Sequence, residues 1–209
     1  MGVENFAFFL VSSTLFTLTP GIDFLLILNR SLFYGRTAGL LTSFGINAGL
    51  VFHTAFAALG ISTVVSQSET AFSVLKYGGA CYLVLFGILT VAQSRNKLST
   101  QTGELPPHSR RYYFFSGMTT NLFNPKVILF FLAFFPQFVS RDSMGSPWPY
   151  VVLGASYILI GVICLALLSI FASAFASRVL HHPRFATMMH KVTGVLFIVM
   201  GINVALMQR

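Results

Sequence analysis

Six apolar runs alternate with short polar linkers, at about 5–28, 38–65, 70–93, 112–139, 148–174 and 185–207. Each run covers the ~20 residues that a helix needs to cross ~30 Å of hydrocarbon. Transmembrane strands are shorter and alternate apolar with polar positions, so the pattern predicts helices. Two runs are interrupted. The first carries Thr19-Pro20-Gly21-Ile22-Asp23, and the fourth carries Asn121-Leu122-Phe123-Asn124-Pro125-Lys126. Proline removes a backbone donor and clashes with the preceding turn, which predicts a broken helix at each. Hydrocarbon has no water to satisfy the freed backbone groups, so such breaks belong beside protein or a wet cavity.

Composition supports the membrane reading. Only 9% of the 209 residues are charged and 55% are hydrophobic. Soluble domains carry roughly 25% charged residues. The formal net charge of +8 raises the possibility of nucleic acid. The basic residues, however, sit in linkers between apolar runs rather than on one surface, so no nucleic-acid partner is expected. Cys81 and Cys164 lie in different runs, neither in a Cys-x-x-Cys, and read as small buried hydrophobes. The first residues, Met1-Gly2-Val3-Glu4, lack a basic segment, and the run that follows is too long for a signal core. That run is expected to be retained as a span.

The linkers suggest an orientation. Arg30 and Arg36 fall in the first, and Arg95, Lys97, Arg110 and Arg111 in the third. Arg178, Arg184 and Lys191 belong to the fifth, whereas the opposite side has Lys76, Arg141 and Arg209. Lys and Arg accumulate on the cytoplasmic side, which predicts cytoplasmic odd linkers and both termini outside. The polar, turn-rich linker 94–111 then joins two three-helix units, 1–93 and 112–209. An odd number of spans places the two units in opposite orientations. The first helix of each unit has a proline break, and the third opens on Lys-x-x-Gly, at Lys76 and Gly79 and again at Lys191 and Gly194. The expected fold is therefore all-α and integral to the membrane, with six spans forming two inverted repeats. Paired interrupted segments point to a transporter binding site.

Asp23 and Lys126 dominate the candidate chemistry. A charge near the bilayer centre costs ~2.5–3.5 kcal/mol, so each needs compensation. A mutual ion pair and protonation of Asp23 are both available. Asp23 alternatively serves as a helix cap. The two depths differ, which favours a shared aqueous cavity over a tight pair. Thr19, Asn121 and Asn124 add neutral hydrogen-bonding groups, and Asn47 and His53 lie in the second run. His53 reads either as a proton carrier or as a neutral, hydrogen-bonded histidine. Broken helices offer donors at one end and acceptors at the other, a combination that suits small zwitterions such as amino acids. Protons are the expected coupling partner, with Asp23 the preferred carrier. His181, His182 and His190 read as surface residues. No nucleophile motif, phosphate loop or metal-ligand spacing occurs, so neither an enzyme nor a cofactor is indicated. A metal-cation exporter would need more ligands at the breaks, and a membrane thiol oxidoreductase would rest on Cys81 and Cys164 alone. Gly45 and Gly49 form a Gly-x-x-x-Gly suited to close helix crossing. Tyr112, Tyr113, Trp148 and Tyr150 lie at run ends, as interfacial aromatics do.

The chain resembles the lysine exporter/homoserine–threonine resistance (LysE/RhtB) family along essentially its whole length. Thr19-Pro20-Gly21-Ile22-Asp23 is similar to that family's TPGPD pattern, with Ile22 in place of the second proline. Gly35-Arg36, Gly39, Gly45-Ile46, Gly49 and His53 follow as in the family. Asn121–Lys126 is similar to the NLxNPK pattern, followed by Phe135-Pro136-Gln137-Phe138. The resemblance implies export of an amino acid or close derivative across a bacterial inner membrane, driven by the proton gradient. Family members differ in substrate, so the resemblance selects none. A small six-helix transporter is also consistent with a homodimer.

Overall fold

The computed structural model describes residues 2–61, 69–92, 108–172 and 183–206. Most of the tether at 94–111, together with Arg178, His181 and His182, lies outside the described residues. The described residues are helical or irregular, with one isolated bridge between Val3 and Val139. In chain order the helices are α1 (Phe6–Leu18), α2 (Ile22–Tyr34), α3 (Arg36–Phe56) and α4 (Glu69–Ala92). They continue as α5 (Arg110–Leu122), α6 (Pro125–Leu129), α7 (Pro147–Ile170) and α8 (Pro183–Leu206). A π-helical turn, Ala57–Ile61, extends α3. A second, Phe130–Phe134, and a 3₁₀ turn, Phe135–Phe138, extend α6.

Two helices are long and apolar enough to cross a membrane unaided: α3 with its extension, Arg36–Gly60, and α7. Two bent pairs meet the same test as broken spans. α1 and α2 bend by 53°, and α5 and the α6 segment by 49°. The cause is local. A residue before proline is pushed out of the helical region. Thr19, before Pro20, has φ −67° and ψ 125°, and Asn124, before Pro125, has φ −74° and ψ 108°. Ile22, where the family pattern has a second proline, is exposed at the start of α2 and leaves the bend in place.

Close crossings hold the helices together where lipid supplies no hydrophobic drive. A side chain at Gly45 would run into the carbonyl of Phe114, and one at Gly117 into that of Thr42, so α3 and α5 nearly touch. Gly87 of α4 faces Gly194 of α8, and Gly201 faces Ala80 and Val84. Those pairings run antiparallel. α3 and α7 also cross antiparallel, with Thr54 against Gly154 and Asn47 against Gly161.

The core comes in two parts. One contains Phe9, Phe16, Leu50, Val127, Phe130, Phe134 and Tyr157. The other contains Phe24, Ile27, Leu28, Ile46, Leu165 and Leu168. The helix breaks fall between them. At one end of the bundle, Val3 bridges Val139, Glu4 N–H donates to the Phe138 carbonyl (2.8 Å), and Ser140 N–H donates to the Gly2 carbonyl (2.9 Å). At the other end, the Arg30 guanidinium donates to the Tyr112 hydroxyl (3.2 Å) and sits 5.1–5.4 Å from the rings of Tyr34, Tyr112 and Tyr113. The first linker and the end of the third thus share a face. Of the four aromatics expected at interfaces, Trp148 and Tyr112 are exposed. Tyr113 is buried in the arginine cluster, and Tyr150 is wholly buried against the first core.

Candidate functional site

Both breaks open onto one cavity between the two cores. Its wall includes Phe16, Thr17, Thr19, Gly21 and Asp23 from the first broken pair. Asn121, Asn124, Lys126 and Val127 come from the second pair, and Ile46, Leu50, Tyr157, Gly161 and Leu165 from α3 and α7. The cavity measures about 30 Å³ as swept by the centre of a water-sized sphere. That is room for one or two waters, so an amino acid enters only after the walls move apart.

Asp23 stands in the first turn of α2, where exposed backbone N–H groups and the helix dipole favour a carboxylate. The Asn121 Nδ2 donates to its Oδ2 at 2.8 Å. Asp23 Oδ1 and Asn121 Oδ1 are buried and have no hydrogen-bond partner among the described residues. Asn121 belongs to the last turn of α5, where the final carbonyls lack intrahelical donors. Its carbonyl lies 3.2 Å from His53 Nε2. A carbonyl only accepts, so that bond requires hydrogen on Nε2.

Lys126 follows Pro125 at the start of α6, with Asn124 as the N-cap accepting from its backbone N–H at 3.1 Å. A cation is unfavourable at a helix N-terminus, so its charge needs another partner. The side chain finds one by crossing to the end of α1. Its Nζ donates to the carbonyls of Phe16 (3.0 Å) and Thr19 (3.3 Å) and lies 4.3 Å from the centre of the Phe16 ring. The negative end of the α1 dipole thus holds the protein's own ammonium. Among the described residues, Asp23 and Lys126 share the cavity wall without forming a direct ion pair.

The structure brings Thr19, Gly21, Asp23, Asn121, Asn124 and Lys126 together in that wall. Pro20 and Pro125 create the breaks. Asn47 and His53 stand one layer behind. The amide of Asn47 donates to the Ser43 carbonyl (2.9 Å), and its Oδ1 abuts Gly161. His53 stacks on Phe131 with centroids 5.4 Å apart. Phe16, Tyr157 and Gly161 also face the cavity, and sequence reasoning passed over them. An aromatic in an apolar run gives no sign of whether it meets lipid, core or site. The tyrosine inside the fifth run was the one available hint, because a hydroxyl in hydrocarbon calls for a partner.

A helical bundle whose two bent pairs direct an acid and a base into one cavity has the build of a membrane transporter. The chain belongs to the LysE family: the family described as LysE type translocator matches residues 14–208. It is similar to an uncharacterized membrane protein of Vibrio cholerae, with 31% identity over 98% of both chains. It is 29% identical to a homoserine/homoserine lactone efflux protein of Salmonella typhimurium, over 92% of both chains. It is 27% identical to a leucine efflux protein of an Enterobacter species, over 94% of this chain and 93% of the relative. No solved structure matches the chain significantly. Among the described residues no three His, Cys, Asp or Glu side chains gather as metal ligands, and Cys81 and Cys164 are both free.

Proposed function

We propose that this protein exports an amino acid or close derivative across the bacterial inner membrane, in exchange for protons. The observation that carries this reading is the meeting of Asp23 and Lys126 in one cavity at two helix breaks. The efflux activities named for the Salmonella and Enterobacter relatives agree with it. Asp23 Oδ1, which has no hydrogen-bond partner among the described residues, accepts either a proton or a substrate ammonium. Because one atom serves both, occupancy by one excludes the other, and that exclusion couples the two flows. Lys126 attracts the substrate carboxylate. The two apolar cores, one on each side of the cavity, part alternately. Asn47 and His53 support the wall from behind.

The proposed topology is six spans in two inverted repeats, 1–93 and 112–209, joined by the cytoplasmic tether 94–111, with both termini outside. It is supported by the matching bends and by the antiparallel pairing of α3 with α7 and of α4 with α8. The site is tested by efflux from loaded proteoliposomes with and without a pH gradient. Asp23→Asn is expected to abolish the response to the gradient, and Lys126→Ala to slow export severely. Normal export by both variants at normal expression refutes the assignment. The topology is tested with reporters fused at either terminus; a cytoplasmic signal from either refutes it.

A further inference from the structure

We infer that the site takes amino acids with an uncharged, apolar side chain and rejects those carrying a second cationic or anionic group. This inference rests on the export reading above. Its first support is the balance of charge. Among the described residues, Asp23 is the sole carboxylate in the wall and Lys126 the sole cation. One acid and one base match a zwitterion's ammonium and carboxylate, and leave nothing for a further charge.

Its second support is the separation of polar from apolar wall. The acceptors left without a hydrogen bond among the described residues, Asp23 Oδ1 and Asn121 Oδ1, suit an ammonium. Lys126 uses two of its three ammonium donors on the carbonyls of Phe16 and Thr19, leaving the third for a carboxylate. The part of the wall without side-chain donors or acceptors includes Phe24, Ile46, Leu50, Val127 and Leu165. Thr17 and Tyr157 also line the cavity, but Thr17 donates to the Ser13 carbonyl (2.9 Å) and the Tyr157 hydroxyl pairs with Thr17, so both hydroxyls are engaged within the protein. Arg30, two turns beyond Asp23 on α2, is engaged by its own tyrosine cluster and does not line the cavity.

The experiment uses the full chain in proteoliposomes, loaded in parallel with radiolabelled leucine, homoserine, lysine or glutamate. Leucine is expected to leave fastest. An uncompensated charge in an apolar site corresponds to roughly a hundredfold loss, so lysine and glutamate should trail by about that factor. Homoserine should trail leucine by roughly tenfold. Leu165→Ala enlarges the apolar wall and should shift the leucine-to-phenylalanine ratio toward phenylalanine, whatever happens to the total rate. Lysine or glutamate leaving as fast as leucine overturns the inference while export stands. Homoserine leaving faster than leucine overturns the apolar wall, as does an unchanged ratio in the Leu165 variant. If none of the four moves, the export reading falls and takes this inference with it.

Discussion

Replacing Lys126 with Met removes the ammonium and keeps most of the stem, so it separates the lysine's structural role from its transport role. The wild-type ammonium makes two hydrogen bonds to the end of α1 and one cation–π contact with Phe16. A hydrogen bond from a charged donor contributes about 1.5–3 kcal/mol, and a cation–π contact about 0.5–2 kcal/mol. Together they amount to roughly 3.5–8 kcal/mol. Placing the charge at this depth costs about 2.5–3.5 kcal/mol, and the substitution relieves that cost. Lys126→Met should therefore lose roughly 0–5.5 kcal/mol, centred near 3 kcal/mol, against the ~5–15 kcal/mol that a folded domain has available. The variant is expected to insert and fold, with a lower melting temperature in detergent and with export close to background. Melting at the wild-type temperature would show that the ammonium does not hold the end of α1. Export at the wild-type rate would show that it takes no part in transport.

Gly45→Val should fail to accumulate or melt far below wild type, because its Cβ meets the Phe114 backbone carbonyl, which has no room to yield. Gly60→Ala, where nothing lies within 4 Å, should be neutral or stabilising by up to about 1 kcal/mol in the same melting assay. His53→Phe keeps the stacking on Phe131 and loses the bond to the Asn121 carbonyl, so export should slow by roughly 2–12-fold. A loss beyond about a hundredfold would place His53 in the proton path rather than behind the wall. The double variant Cys81→Ser, Cys164→Ser should export normally, because neither thiol lines the cavity. Loss of export at normal expression would revive a role for the thiols.

The helix breaks were legible because proline acts on its own residue and the one before it. Pro20 and Pro125 each bend a helix pair where the chain alone indicates. The helix limits were also readable from hydropathy, with α4, α7 and α8 starting within a residue or two of their apolar runs. α2 is the exception. It runs past Leu28 to Tyr34, because Ser31 packs against Gly39 and Arg30 finds its tyrosines. The shared cavity of Asp23 and Lys126 followed from the cost of charge in hydrocarbon. What Lys126 grips did not, since its carbonyl partners are 107 and 110 residues away in sequence. Tyr150 shows the same limit. Its place at a run end suggested an interface, and tertiary packing buried it completely.

The lysine grip has a mechanical consequence. α1 is fastened to the 125–140 segment at both extremities: by Lys126 at the break, and by the backbone bonds of residues 2–4 to residues 138–140 at the far end. Between these fastenings Phe9 stacks on Phe134 and Phe16 on Phe130. The two pieces therefore travel as one plank. On the export reading proposed above, a passage is expected to open where that plank leans on α7 or on the α4–α8 pair rather than along its own seam, and those are the joints across which distance probes should register movement during turnover.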